Sequence, residues 1–153
     1  KGPPWMQELE ISQPVREGVT KILQDIYFMQ SLADDDIELV RSNLILRCYD
    51  KNETIIQEGQ QGNYFYIIWM GEVRVVRGKG FFRSGTELAR LGAGDFFGES
   101  ALVSDAPRNA SVLSVASSKL LLLKRSPFDL LRQRNPEFET AMNDLAQARK
   151  AKK

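Results

Sequence analysis

The sequence predicts an α+β fold, in which an eight-stranded antiparallel β-barrel of the jelly-roll type is flanked by N-terminal and C-terminal helices. The middle of the chain alternates apolar and polar residues in short runs, and glycine-rich turns separate these runs. Both ends of the chain change to the spacing of helices. Short strands at close spacing with glycine turns are typical of barrels and jelly rolls.

The N-terminal part of the chain carries two helical patterns. Residues 15–32 place apolar side chains at helical spacing. The acidic run Asp34-Asp35-Asp36 suits the positive end of a helix dipole, so a second, short helix is predicted to begin there. Residues 1–14 contain three prolines and are interpreted as a linker or a terminal edge.

The strands are predicted to follow directly. About eight short strands are expected in total, and the seven runs that have the β-type pattern are 44–49, 54–56, 64–70, 73–77, 87–91, 111–116 and 119–124. Ser126-Pro127 then indicates a helix start, and Asn135-Pro136 separates two helices, near 127–134 and 136–150. The predicted organisation is therefore a linker (1–14), an N-terminal helical segment (15–43), a barrel (44–125) and C-terminal hinge and lid helices (126–153).

The composition excludes several classes of function. Lys plus Arg is 21 and Asp plus Glu is 20 in 153 residues, which gives no electrostatic case for a nucleic-acid partner. The longest apolar run is too short to span a bilayer. Histidine is absent, so catalysis by histidine and metal centres with histidine ligands are excluded. The single cysteine, Cys48, fits a reducing compartment, and we expect a cytoplasmic location.

One segment, residues 96–112, combines groups that suit a sugar phosphate. Gly98 allows the backbone to come close to a ligand. Residues 99–102 can begin a short helix whose free N–H groups suit an anion, and Arg108 has the planar, charged fork that suits a phosphate. Glu99 only accepts hydrogen bonds when ionised, and it can therefore bind a sugar hydroxyl.

The same segment resembles the phosphate-binding cassette of cyclic-nucleotide-binding domains, as in protein kinase A regulatory subunits, cGMP-dependent kinases, Epac exchange factors and cyclic-nucleotide-gated channels. The resemblance rests on Phe97-Gly98-Glu99, Ala101-Leu102 and Pro107-Arg108-Asn109-Ala110-Ser111-Val112, which match without a gap. Upstream, Ile55–Gly59 and Leu91–Phe96 are also similar to that family. The resemblance implies a non-catalytic sensor that binds cAMP or cGMP and needs no metal or other cofactor.

The resemblance also implies a role for each matching residue. Arg108 pairs with the cyclic phosphate, Glu99 accepts from the ribose 2′-hydroxyl, and Gly98 allows close approach. Backbone N–H groups near Ala101 and Ala110 complete the phosphate shell. The full set of expected ligand-binding residues is Gly98, Glu99, Ser100, Ala101, Arg108, Asn109, Ala110 and Ser111.

The resemblance further implies a hinge next to the cassette. In such a hinge, Leu102 is expected to pack against Phe128 or Leu131, so that ligand binding moves Leu102 and the helices after Ser126 swing over the barrel. A residue of the last helix would then cover the base. The candidates Phe138, Met142 and Leu145 have a simpler alternative, in which they only pack the helix.

The choice of nucleotide depends on two positions. In this family, alanine after the cassette arginine goes with cAMP and threonine often goes with cGMP, because its hydroxyl can bond the guanine amino group, whereas this sequence has Asn109. An asparagine carbonyl can accept from that amino group, which would favour cGMP, and its amide can equally make a local turn bond without contacting a ligand. Some cGMP-selective domains carry an arginine in the strand before the cassette, where this sequence has Ala89 and Arg90 is one residue off. We therefore favour cAMP slightly over cGMP.

Two further expectations concern partners. The output domain, such as a kinase, an exchange factor or a channel, is expected to be linked to this domain or associated with it. An alternative is an interaction domain of the same fold that binds no ligand or another purine. The retained Glu99 and Arg108 argue against that alternative.

Overall fold

In the computed structural model of the chain, the residues described are 8–9, 32–78, 86–99, 102 and 107–151. They form nine strands and three α-helices. The strands are β1 (Glu8–Leu9), β2 (Leu44–Tyr49), β3 (Thr54–Ile56), β4 (Tyr64–Met70), β5 (Glu72–Arg77), β6 (Thr86–Gly92), β7 (Phe96–Phe97), β8 (Ser111–Ser114) and β9 (Ser118–Lys124). The helices are α1 (Asp34–Asn43), α2 (Arg125–Arg134) and α3 (Pro136–Ala151).

The strands pair into two antiparallel sheets. The five-stranded sheet has the order β1-β2-β9-β4-β7, and the four-stranded sheet has the order β3-β8-β5-β6. Strand β9 lies at the centre of the first sheet, where Leu121 pairs with Leu46 on one side and with Ile67 on the other. The prediction of antiparallel strands flanked by helices is confirmed.

The predicted eight-stranded barrel of the jelly-roll type is confirmed only in part, because the pairing shows two antiparallel sheets. The described residues contain nine strands in two sheets, without a pairing that closes them into one barrel. The pattern of alternation reports only which face of a strand is buried, and that pattern is the same in a barrel and in two packed sheets. Strand β1 was also missed, because two residues in the segment assigned to a linker carry no periodic signal.

The five-stranded sheet is covered on both faces. Alternate residues of β9, Leu121 and Leu123, face a cluster that includes residues of all three helices, such as Val40, Phe128 and Met142. We call this cluster the helix-side core. Leu120 and Leu122 face the other way and pack with side chains of the four-stranded sheet, including Ile56, Val73 and Val112. We call this second cluster the sandwich core. The continuous apolar run of β9 therefore reflects burial on both faces.

The helix boundaries differ in part from the prediction. Helix α1 begins at Asp34 with the expected acidic first turn, and Ala33 accepts backbone bonds from Asp36 and Ile37. Helix α2 begins at Arg125, two residues before the predicted Pro127. Proline is tolerated there because the N–H groups of the first turn make no bonds within the helix. Helix α3 follows the prediction closely.

Part of the predicted layout lies outside the described residues. This holds for the predicted helix 15–32 apart from Leu32, and for most of the segment 1–14. None of the helices in the described ranges is both long enough and apolar enough to cross a membrane.

Candidate functional site

The backbone of Arg108 is fixed to the turn that precedes β4. The Arg108 N–H donates to the carbonyl of Gln60, and the N–H of Gly59 donates to the carbonyl of Arg108, each at 2.8 Å. The positive φ of Gly59, 91°, forms part of this turn. These two backbone bonds hold Arg108 just before the start of β8, independently of the contacts that its side chain makes.

The side chain of Arg108 is buried between two strands. Its exposed fraction is 8%, Nη1 donates to the carbonyl of Gly98 at 2.7 Å, and Nη2 donates to the carbonyl of Tyr64 at 2.9 Å. The guanidinium also lies 6.0 Å from the centre of the Tyr66 ring. An arginine has more N–H donors than these two bonds use, so this side chain can also bind an anion.

Burial and charge act in opposite directions on this arginine. Burial lowers the pKa of Arg108, whereas Tyr66 and the carboxylate of Glu99 raise it. An arginine remains charged through shifts of this kind. Tyr66 is itself buried, and this burial raises the pKa of its phenol to about 12, so the phenol stays a neutral hydroxyl below that pH. The site therefore presents a fixed positive charge in a mostly dehydrated place, where an anion is bound more strongly than at the surface.

Gly98 is a close-contact position. Its φ is +91°, and a Cβ atom there would lie 3.0 Å from the Tyr64 carbonyl oxygen, 3.0 Å from Cδ1 of Tyr66 and 3.3 Å from Nη1 of Arg108. Only glycine fits both the backbone conformation and the space. The sequence predicted a close approach to a ligand, and the structure shows a close approach to the arginine and β4.

Glu99 is almost completely enclosed. Its exposed fraction is 1%, and its charge counteracts the effect of burial on the pKa of Arg108. A buried carboxylate is stable only with hydrogen-bond or charge partners. Ser100 and Ala101, the next two expected ligand-binding residues, lie outside the described residues.

The residues after Arg108 have separate environments. Asn109 is exposed, and its backbone carbonyl accepts a hydrogen bond from Nε of Arg77 at 3.1 Å. Ala110 is buried. The hydroxyl oxygen of Ser111 accepts the N–H of Glu58 at 2.9 Å, so this side chain supports the turn before β4.

The three residues predicted to form a hinge lie together on the helix-covered face of the five-stranded sheet. Leu102, Phe128 and Leu131 belong to the helix-side core and are 1%, 0% and 0% exposed. Two of the three candidates for covering a base, Phe138 and Met142, are buried in the same core. In this arrangement they are packing residues, and Leu145 packs against them.

Three residues next to the site were not predicted. Tyr64 and Gln60 contribute backbone carbonyls, a group that every residue carries, so no sequence signal identifies them. Tyr66 contributes its ring, which stacks on Phe97 at 4.8 Å between ring centres. The aromatic and β-branched run of β4 indicated that Tyr66 is buried, without indicating its contact with Arg108. Within the described part of the chain, no group of His, Cys, Asp and Glu side chains could hold a metal ion.

Comparison with known proteins gives a consistent family. The family model of the Cyclic nucleotide-binding domain matches residues 46–135. The chain is 37% identical over 97 residues to a cGMP-dependent protein kinase of Plasmodium berghei, which covers 63% of this chain and 11% of that protein. It is 34% identical over 110 residues to a cAMP-dependent protein kinase regulatory subunit of Debaryomyces hansenii, which covers 71% of this chain and 23% of that protein.

A solved structure has a similar fold. The regulatory domain of Toxoplasma gondii PKA with cAMP superposes with a TM-score of 0.77 at 23% identity, covering 87% of this chain and 50% of that chain. The chain thus spans at most half the length of these relatives. The family match extends from within β2 to the end of α2 and contains Gly98, Glu99 and Arg108. Because it extends over more than half of the sequence, the chain belongs to the cyclic nucleotide-binding domain family.

Proposed function

We propose that this chain is a non-catalytic regulatory domain that binds a cyclic nucleotide, with a slight preference for cAMP over cGMP. The observation that carries the proposal is the buried guanidinium of Arg108, which is fixed by two backbone carbonyls within the electrostatic influence of the buried carboxylate of Glu99. A fixed cation and a fixed acceptor suit a ligand with an anion at one end and a hydroxyl at the other. A cyclic nucleotide has both groups on one rigid ring system.

In this proposal Arg108 binds the cyclic phosphate and Glu99 accepts from the ribose 2′-hydroxyl. The bonds to Gly98 and Tyr64 hold the guanidinium in place before the ligand arrives, so little side-chain entropy is lost on binding. Backbone N–H groups near Ala101 and Ala110 complete the phosphate shell. Ser111 contributes through its backbone, since its hydroxyl supports the turn at Glu58.

The preference for cAMP has one support. Strand β6 carries Ala89, and no side-chain donor at that position reaches a guanine carbonyl. Asn109 is exposed and does not favour cAMP, because its side-chain carbonyl would accept from the guanine amino group if it contacted the base. The names of the relatives include both cAMP-dependent and cGMP-dependent kinases, so they do not distinguish the bases.

The signal leaves the site through Leu102 in this proposal. Its side chain joins the cassette to Phe128 and Leu131 of α2, and a displaced cassette therefore changes the packing of the C-terminal helices. The output domain is a linked or associated protein, for which a kinase is the first candidate because the relatives are kinases and kinase regulatory subunits. A cytoplasmic location belongs to the same proposal.

Isothermal titration calorimetry of the purified chain with cAMP and, separately, with cGMP tests the proposal. Arg108→Ala is expected to weaken binding by about 1.5–3 kcal/mol or more, which is tenfold or greater, because a charge-assisted contact to phosphate is lost. Glu99→Ala is expected to weaken it less. Arg90→Ala is the matched control, since Arg90 makes an exposed ion pair with Glu87 on the four-stranded sheet.

Two outcomes would contradict the proposal. An unchanged dissociation constant in Arg108→Ala would remove the arginine from the site. Folded, nucleotide-free protein that binds neither ligand would favour the alternative, an interaction domain that binds another purine or no ligand.

A further inference from the structure

Arg132 lies on α2, and its side chain contacts α3, a residue of α2 itself and the backbone of the cassette. Its Nε donates to Oε1 of Glu139 at 2.6 Å, and its Nη2 donates to Oε2 of the same carboxylate at 3.3 Å. Its Nη1 donates to Oδ1 of Asp129 at 3.0 Å and to the carbonyl of Leu102 at 3.3 Å. One planar group therefore joins α3, α2 and the backbone of the cassette.

The Arg132–Glu139 pair is held by more contacts than an isolated surface ion pair. The arginine side chain is 20% exposed, and its guanidinium lies 6.0 Å from the centre of the Phe128 ring. Asn143 donates to Oε2 of Glu139 at 3.1 Å, which holds the carboxylate from the other side. The hydrogen bond with Arg132 is the main reason why the pKa of Glu139 is lowered. Two-point pairing of this kind fixes an orientation as well as a distance.

The carbonyl of Leu102 is the other end of this connection. It also accepts a bond from Nη1 of Arg125 at 3.4 Å, while the Leu102 side chain is buried in the helix-side core. Glu99 and Leu102 are three residues apart in the sequence, and both belong to the cassette. Because this separation is short, we expect a shift of the Leu102 carbonyl to change the position of Glu99 in the proposed ligand site.

We propose that Arg132 is a positioning residue of the ligand site, which raises the affinity for cyclic nucleotide by holding the Leu102 carbonyl and ties that carbonyl to α3 through Glu139. The inference rests on the proposed function. The guanidinium of Arg132 is rigid. A displacement of Leu102 by ligand therefore changes the alignment of the guanidinium with Glu139, and a displacement of α3 changes the alignment of the guanidinium with Leu102. The coupling free energy is the same in both directions.

Two single variants separate the two contacts. Arg132→Gln and Glu139→Gln both remove the ion pair, so their losses of stability should be similar. Only Arg132→Gln also removes the guanidinium from Leu102. We expect Arg132→Gln to bind cAMP about threefold to tenfold more weakly than wild type, and Glu139→Gln to remain within about twofold. Arg132→Lys should be intermediate, because a single ammonium group cannot reach the carboxylate and the carbonyl together.

The distance between two spin labels tests the second contact, which links Arg132 to Glu139 on α3. In a Cys48→Ser background, spin labels are placed at the exposed positions Lys119, on β9, and Asp144, on α3. Wild type is expected to change its label separation on binding nucleotide. Glu139→Gln is expected to bind nucleotide and to lose most of that change, since its α3 no longer follows the guanidinium.

The results that overturn the inference are distinct from those that overturn the proposed function. Wild-type affinity in both Arg132→Gln and Arg132→Lys, or equal loss of affinity in Arg132→Gln and Glu139→Gln, refutes the action through Leu102. Nucleotide binding by wild type without any change in label separation refutes the link to α3. Absence of nucleotide binding by wild type refutes the proposed function and this inference together.

Discussion

Replacing Gly98 with alanine should damage stability and ligand binding together. The added Cβ atom would meet the Tyr64 carbonyl oxygen and the Tyr66 ring at 3.0 Å, and Nη1 of Arg108 at 3.3 Å. Backbone oxygen in a central strand cannot move aside easily. The arginine is therefore the neighbour expected to shift, and its shift would disturb the contact proposed for the phosphate.

The size of the effect follows from two contributions. An alanine at φ +91° costs about 1–2 kcal/mol, because a side chain is strained in the left-handed region. The crowding at 3.0 Å adds about 1–3 kcal/mol, as small-to-large changes in packed places usually do. Displacement of Arg108 should also weaken binding of cyclic nucleotide about tenfold, similar to losing a charge-assisted contact.

Gly94→Ala is the matched control. Gly94 has nearly the same backbone conformation, φ +90°, but no heavy atom lies within 4 Å of the Cβ position. It should lose only the conformational part of the stability and retain wild-type affinity. The two variants are compared by urea unfolding and by calorimetric titration with cAMP. Equal stability of Gly98→Ala and Gly94→Ala, with wild-type affinity in both, would refute the close-contact argument.

The other predictions concern the base and the response to pH. Asn109→Ala and Asn109→Thr should change the ratio of cAMP to cGMP affinity measured by titration, and an unchanged ratio in both would remove Asn109 from base recognition. The pKa of Glu139 in the folded protein lies below its ordinary value of 4.5. The Arg132–Glu139 pair therefore contributes its full stabilisation above pH 4.5, and this stabilisation is lost as the pH falls through the folded-state pKa. The stability advantage of wild type over Glu139→Gln in urea unfolding should therefore shrink in acid, and an advantage that does not change with pH would show that the pair is not its source.

The strands were largely predictable because their signals are local. The dense aromatic and β-branched run of β4 and the turn at Gly71, with its φ of +108°, determine where the chain extends and where it reverses. How the strands are joined is a long-range property. Alternation cannot tell two packed sheets from a closed barrel, so the pairing of β3 with β8 and of β9 with β2 became evident only in the structure.

The candidate site was predictable to the extent that it is contiguous. Gly98, Glu99 and Arg108 lie within one segment whose residue types indicate an anion and a hydroxyl. The carbonyl of Tyr64 was not predictable, since it comes from a distant strand and any residue could supply it. Arg132 was missed for a similar reason, because its partners are Glu139, beyond the break at Asn135-Pro136, and the backbone of Leu102.

The four consecutive leucines of β9 divide two interiors that can change independently. Leu121 and Leu123 belong to the helix-side core, whereas Leu120 and Leu122 belong to the sandwich core with Tyr66, the neighbour of Arg108. A substitution at one leucine should thus loosen the attachment of the helices, and a substitution at the next one should alter the packing beside the proposed ligand site. Neighbouring positions in one strand therefore offer separate routes by which related proteins can adjust their output or their ligand affinity.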